Sequence, residues 1–315
     1  MRTVLALVLA TMLTVAGCTS ESPAEKPAGQ AQSAAPSQAT RFASYVALGD
    51  SFTAGPYVPR TELAAGCLRS DGNYPSLVAR RLHVKHFTDV SCSGAQTRDL
   101  THRQHTFRDA TVPPQLDAVR PDTDLVTLGI GGNDFDLFAG LLQRCASLRQ
   151  FAPGGAPCTV QLRRDGFDPG RVTRRIGVHM AAAVRRIRAR APGAEVLVVG
   201  YLRLAPTRGG CPALPFAAGD YAEGVRVSRA LDRALAGAAH RTGAGFVDMY
   251  AASRGHDVCS AHPWVNGSRT DRAAALAFHP LAAGMDAVAD RVVARLSAPA
   301  GAGSASGGPN PGRSQ

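Results

Sequence analysis

Short apolar runs alternate with longer amphipathic stretches through most of the chain. Residues 43–49 (ASYVALG) form an apolar run that stops at Gly49-Asp50-Ser51 and predicts a buried parallel strand. Residues 73–82 predict a helix and residues 85–90 a second strand. Residues 124–130 (DLVTLGI) predict a third strand, which ends at Gly131-Gly132-Asn133-Asp134. Residues 168–190 have the pattern of a long arginine-studded helix, closed by Pro192-Gly193. A fourth strand at 195–200, a helix at 225–241, a fifth strand at 245–250 and a helix at 280–296 complete the series. Strands that alternate with helices build a parallel sheet with helices on both faces and right-handed crossovers. In such a sheet ligands bind beyond the carboxyl ends of the strands. Gly49-Asp50-Ser51, Ser93-Gly94 and Gly132-Asn133-Asp134 all fall there, after the first three strands. Residues 56–73, 143–168 and 204–221 are expected to be loops that shape the pocket.

The two ends read differently. Met1-Arg2-Thr3 carries one positive charge, and an apolar run at 4–15 follows. That length suits a signal-peptide core and is too short to span a bilayer. Val15-Ala16-Gly17-Cys18 resembles a bacterial lipobox, in which cleavage precedes a cysteine that is then lipidated. An ordinary secretory signal with a chance cysteine is the other reading. The expected organisation is a signal peptide at 1–17, a lipidated Cys18 with a flexible Ala/Ser/Pro/Gln linker to 40, one domain at 41–297, and a disordered Gly/Ser/Pro tail at 298–315. Buried acyl chains would tether the protein with about 0.8 kcal/mol per methylene.

With Cys18 set aside, six cysteines remain. An even number in an exported chain points to three disulfides, for which fifteen pairings exist. The simplest is sequential: Cys67–Cys92, Cys145–Cys158 and Cys211–Cys259. No two of these cysteines have the close spacing of a zinc site. The net charge is +11, carried almost wholly by arginine, since lysine occurs only at 26 and 85. The arginines are scattered and have no aromatic interleaving, so no nucleic-acid partner is expected. Attraction to anionic lipid or envelope polymers stays open.

A serine after a strand is more often a helix cap than a nucleophile. Company changes the odds for Ser51. Acyl transfer needs a nucleophile, a base for its proton, and donors for the developing oxyanion. Gly94 offers a backbone N–H free of side-chain obstruction, Asn133 an amide, and Ser51 its own N–H.

The segment Tyr45-Val46-Ala47-Leu48-Gly49-Asp50-Ser51-Phe52-Thr53-Ala54-Gly55 resembles the first block of the SGNH (GDSL-type) hydrolases. Ser93-Gly94-Ala95 resembles their glycine block, Gly129-Ile130-Gly131-Gly132-Asn133-Asp134 their asparagine block, and His279-Pro280 with Gly284 their histidine block. The blocks occur in family order over residues 45–284, and the branch most resembled is that of actinobacterial secreted esterases and lipases, whose members carry three disulfides. The resemblance implies a three-layer α/β/α sandwich with a five-stranded parallel sheet. It implies Ser51 as nucleophile, His279 as base, and Ser51, Gly94 and Asn133 as the oxyanion hole, with no metal or organic cofactor. The chain has no Gly-x-Ser-x-Gly elbow, which argues against the α/β-hydrolase fold.

One position departs from the family pattern Asp-x-x-His: residue 276 is leucine. The backbone carbonyl of Leu276 is the expected orienting group for His279, with Asp271 or another carboxylate as the alternative and a weakened base as a third. His262, also followed by proline, is the rival base. His102 and His105 read as a surface loop rather than a metal pair, and His256-Asp257 as neighbours that do not face each other. Asp50 and Asp134 are assigned hydrogen bonds to neighbouring loops. The expected function is a serine carboxylester hydrolase acting on small-molecule or lipid esters through an acyl-enzyme. A carbohydrate O-acetyl esterase and a silent ligand-binding lipoprotein are the alternatives. The protein is expected to be an exported monomer, either anchored through Cys18 on the outer face of the membrane or secreted.

Overall fold

The computed structural model describes residues 41–297 of the 315. The expected signal peptide, Cys18 and linker at 1–40 and the tail at 298–315 lie outside the described residues. Five parallel strands form one sheet: β1 (Ser44–Gly49), β2 (His86–Asp89), β3 (Leu125–Gly129), β4 (Glu195–Val199) and β5 (Gly245–Val247). Their order is β2-β1-β3-β4-β5. The winding reverses between β1 and β3, so a crevice opens beyond their carboxyl ends. Tyr45 pairs with Leu125 and Gly49 with Gly129, so the two strands end level and their loops leave the sheet side by side.

Tyr45, Val46, Leu48, Leu125, Val126, Leu128 and Val196–Val199 are all buried, as expected of strands covered on both faces. Each such side chain contributes about 1.5–3 kcal/mol by leaving water. The covering helices are α1 (Tyr74–Arg81), α2 (Leu137–Leu148), α3 (Pro157–Arg164), α4 (Pro169–Arg190), α5 (Tyr221–Thr242) and α6 (Ala282–Ser297). Helix α1 packs with α6, and α4 with α5, giving the three-layer α/β/α sandwich. Asp168 caps α4 by accepting the Gly170 N–H at 2.8 Å, and Pro169 opens its first turn. Ile176, Met180, Val184 and Ile187 then recur every three or four residues on the buried face. The seven arginines of α4 point outward, and the helix carries no acidic residue.

Two helices, α2 and α3, occupy much of the stretch read as a loop at 143–168. Helix α2 buries Leu137, Phe138, Leu141 and Cys145 on one face. A disulfide between Cys145 and Cys158 ties it to α3. Two further disulfides join Cys67 to Cys92 and Cys211 to Cys259. Helix α5 begins at Tyr221, four residues before the predicted start, and β5 gives way at Met249–Ala252 to a helical turn capped by Asp248.

Candidate active site

Strand β1 ends in a clamp. The Gln115 amide accepts the Gly49 N–H at 2.8 Å and donates to the Gly49 carbonyl at 2.9 Å. A Cβ on Gly49 would lie 2.2 Å from Thr53 Oγ1 and 2.7 Å from the Gly129 carbonyl, so only glycine fits between the two strand ends. The chain then turns into one helical turn, Ser51–Ala54. The Asp50 carboxylate caps it by accepting the Phe52 N–H at 2.9 Å, and Gly55, at φ 65°, closes it. Ser51 is thus the first helical residue, with no intrahelical acceptor for its own N–H.

The Ser51 hydroxyl is 2.7 Å from His279 Nε2. On the other side of the ring, Nδ1 is 2.7 Å from the Ala277 carbonyl. A carbonyl only accepts, so Nδ1 carries the hydrogen and Nε2 presents its lone pair to the Ser51 O–H. The acceptor expected at Leu276 is therefore at Ala277 instead. Phe278, at φ 60°, adopts the left-handed conformation between the Ala277 carbonyl and the ring that it meets at Nδ1. The Leu276 carbonyl is taken by the His279 N–H at 3.1 Å and by Asn266 Nδ2 at 3.3 Å. Asp271 is exposed and its carboxylate accepts the Ala273 N–H, so it does not orient the ring.

The loop that bears His279 is held from several sides. The Asn266 N–H donates to the His279 carbonyl at 2.8 Å, Asn266 Nδ2 to Ala275 at 2.8 Å, and the Phe278 N–H to Gly267 at 3.0 Å. The Phe52 ring stands 5.3 Å from the imidazole. Burial pushes the His279 pKa down to about 4, against a smaller upward pull from the Ala277 carbonyl.

Asn133 Nδ2 donates to the Ala95 carbonyl at 3.0 Å. An amide nitrogen carries two hydrogens, so a second donor is left for the cavity that Asn133 lines with Ser51 and His279. Gly94, at φ 80°, is next to Ala95 in the chain, but it lines a neighbouring cleft with Ser93 and Phe107 rather than this cavity. The cavity holds about 470 Å³. Beyond the polar end its walls are Phe138, Leu142 and Ala146 of α2 with Leu204, Pro215 and Phe278. Two of the three segments expected to shape the pocket do so; residues 56–73 are not in its lining.

Residues 47–287 match the GDSL-like lipase/acylhydrolase family. The chain belongs to this family. Membership makes it an enzyme of the carboxylic ester hydrolase class. This GDSL-like hydrolase is 40% identical over 233 residues to Lipase 2 of Streptomyces coelicolor, covering 72% of this chain and 77% of the relative. It is 30% identical over 231 residues to a lipase of Streptomyces rimosus, covering 70% and 75%. Among solved structures it superposes on phospholipase A1 from Streptomyces albidoflavus with TM-score 0.67 and 26% identity, covering 81% of this chain and 99% of the other. The extracellular lipase of Streptomyces rimosus gives TM-score 0.67 and 28% identity, with 80% and 99% covered.

One residue of the hydrolase's site escaped the sequence reading. Tyr201, just past β4, donates its hydroxyl to the Asp50 carboxylate and accepts the Gly132 N–H at 2.7 Å. It thereby joins the serine loop to the asparagine loop. Its place directly after a predicted strand was the only signal. Burial pushes Asp50 up to about 7 and the Tyr201 phenol well above its ordinary value. Asp134 accepts the Thr97 N–H at 2.8 Å and the Thr97 hydroxyl, with His179 3.5 Å away. The other candidate histidines stand apart from the site. His102, His105 and His262 are exposed, and His256 stacks on Trp264 at 4.0 Å. Among the described residues no three His, Cys, Asp or Glu side chains gather as a metal site.

Proposed function

We propose that this hydrolase cleaves acyl esters of lipid type through an acyl-enzyme on Ser51. The observation that carries the reading is the 2.7 Å contact between Ser51 and His279 at the polar end of an apolar cavity. Neutral His279 takes the Ser51 proton as Oγ attacks the ester carbonyl. The Ser51 N–H and the free hydrogen of the Asn133 amide, the two expected donors whose residues line the cavity, receive the oxyanion. The alcohol leaves with the proton from His279, and water repeats the steps on the acyl-enzyme. The Ala277 carbonyl fixes the tautomer throughout. The apolar wall of α2 gives an acyl chain a surface to lie on, which an acetyl group would leave bare. The names of the relatives, lipases and a phospholipase, agree with this.

Ser51→Ala tests the assignment. Across p-nitrophenyl esters from acetate to palmitate, with acetylated sugars beside them, the variant is expected to lose at least about a thousandfold in kcat with its fold intact. Retention of a tenth of the wild-type rate would remove Ser51 from the mechanism.

We further propose that the protein is an exported monomer held at the outer face of the membrane by lipid on Cys18. Three disulfides support an oxidising compartment. Cys18→Ala is expected to move the protein from the membrane fraction to the medium; unchanged membrane retention would refute the anchor.

A further inference from the structure

The residues that stand directly before Ser51 and Asn133 share one partner. Asp50 precedes Ser51, Gly132 precedes Asn133, and both bind the Tyr201 hydroxyl. The hydroxyl gives its hydrogen to Asp50 Oδ2 and accepts the Gly132 N–H at 2.7 Å on a lone pair. One oxygen thus ties together the loops that leave β1, β3 and β4.

Both loops are fixed where they meet it. Asp50 Oδ1 accepts the Phe52 N–H at 2.9 Å, and the Asp50 N–H donates to the Gly129 carbonyl at 3.0 Å. The Asp50 carboxylate therefore couples Tyr201 to the turn that opens with Ser51. On the other loop the Gly132 carbonyl accepts the Phe138 N–H at 3.1 Å, so both polar groups of Gly132 are engaged just before Asn133. The Tyr201 ring is held as well. Phe52 and Phe138 meet it edge-on, with centroids 5.1 Å and 5.4 Å away, and a Cβ on Gly132 would come within 3.1 Å of it. Tyr201 is 7% exposed and Asp50 1%, in a wall of the apolar cavity. Oxyanion donors stabilise a transition state when they are aimed before the reaction begins, and small displacements cost rate.

We propose that Tyr201 is a positioning residue for acyl transfer: through Asp50 and Gly132 its hydroxyl sets the separation of the Ser51 N–H and the Asn133 amide, so that both meet one oxyanion. The proposal rests on the acyl-enzyme reading above. Loss of the hydroxyl removes two bonds at once. The Gly132 N–H loses its acceptor and Asp50 Oδ2 its donor, so each loop can move without the other. A bare carboxylate is also left close to where negative charge develops. The surface offered to the acyl chain by Leu142 and Ala146 is untouched.

Tyr201→Phe keeps the ring and deletes the hydroxyl. With p-nitrophenyl butyrate, kcat is expected to fall between about ten- and a hundredfold, less than the 10²–10³ lost when a donor itself is removed, and KM to stay within about twofold. The decisive readout is a pair of inhibitors with one chain, octyl trifluoromethyl ketone and the alcohol derived from it. Ser51 Oγ adds to the ketone carbon, its proton passes to His279, and the carbonyl oxygen becomes the oxyanion. The alcohol has no carbonyl and binds without this step. The variant is expected to bind the ketone at least tenfold more weakly and the alcohol as the wild type does. A tyrosine that only supported the fold would weaken both. Asp50→Asn is the second variant, because an amide accepts at one atom where the carboxylate accepts at two. Combined with Tyr201→Phe, it is expected to lose no more than about threefold in kcat beyond the worse single variant. If Tyr201→Phe does not fold, Asp50→Asn alone carries the inhibitor comparison. An unchanged kcat, an equal loss of ketone and alcohol, or losses that multiply would overturn the role of Tyr201 and leave Ser51 as nucleophile. A wild type that binds the ketone no more tightly than the alcohol would overturn the acyl-enzyme reading itself.

Discussion

The imidazole of His279 leans on a main-chain carbonyl. A carbonyl holds the tautomer, but it brings no formal charge to steady the imidazolium or to raise the pKa of the ring. Burial therefore governs, and it lowers the pKa to about 4. In the proposed mechanism the working form is the neutral base, present above the folded-state pKa and lost as pH falls through it. The acid limb of kcat/KM for a p-nitrophenyl ester is accordingly expected near pH 4, with activity nearly flat above pH 5. A limb near the ordinary 6.5 would mean that a charged partner joins the ring in solution. Ser51, Asn133 and His279 could be singled out because each sits in a short motif that resembles a family block, and the structure brings the three to one cavity. The carbonyl partner could not be. It depends on the left-handed backbone at Phe278, and a phenylalanine in sequence gives no sign of a positive φ.

Helix α2 sets the length of the apolar cavity. Phe138, Leu142 and Ala146 recur every four residues, so they stack along one face over roughly 12 Å. Ala146 is the last of the three and half-buried. Ala146→Phe is expected to fill the far end and to lower kcat/KM for palmitate and decanoate esters at least tenfold relative to butyrate. A chain-length profile that does not change would place the acyl group elsewhere. The apolar spacing of α2 was present in the sequence, and Asp136 stands at its N-cap position, but Phe135 and Asp136 both have φ 55° and the Asp136 side chain makes no cap, a turn that the sequence does not announce. The strands were the easier elements. Burial on both faces leaves them as unbroken apolar runs, and Gly49 and Gly129 mark where two of them end. Helix α5 was read short because Gly224 sits within its first turn or so, where a glycine usually signals a boundary.

At the scale of the molecule, the alternation of strands and helices pointed to a parallel sheet covered on both faces, and three of the motifs fell beyond the carboxyl ends of its first three strands; the strand order, with its reversal between β1 and β3, is a finding of the structure. Side-chain traffic between distant segments was not legible, as with Tyr201 and Asp50, 151 positions apart. Covalent ties span less of the chain, and their sequential pairing is the one the sequence suggested. The Cys211–Cys259 bridge closes a span of 48 residues and joins two loops, one supplying Leu204 and Pro215 to the cavity and the other leading into the His279 segment. Protein kept fully reduced is expected to cleave p-nitrophenyl butyrate at least tenfold more slowly than the oxidised form, with recovery on reoxidation. Equal rates would show that the base loop holds without its bridge. Such a dependence would act as a clock for the producing cell. The chain would stay idle among the lipids of its own cytoplasm, where thiols are kept reduced, and become a working catalyst only after it has left them.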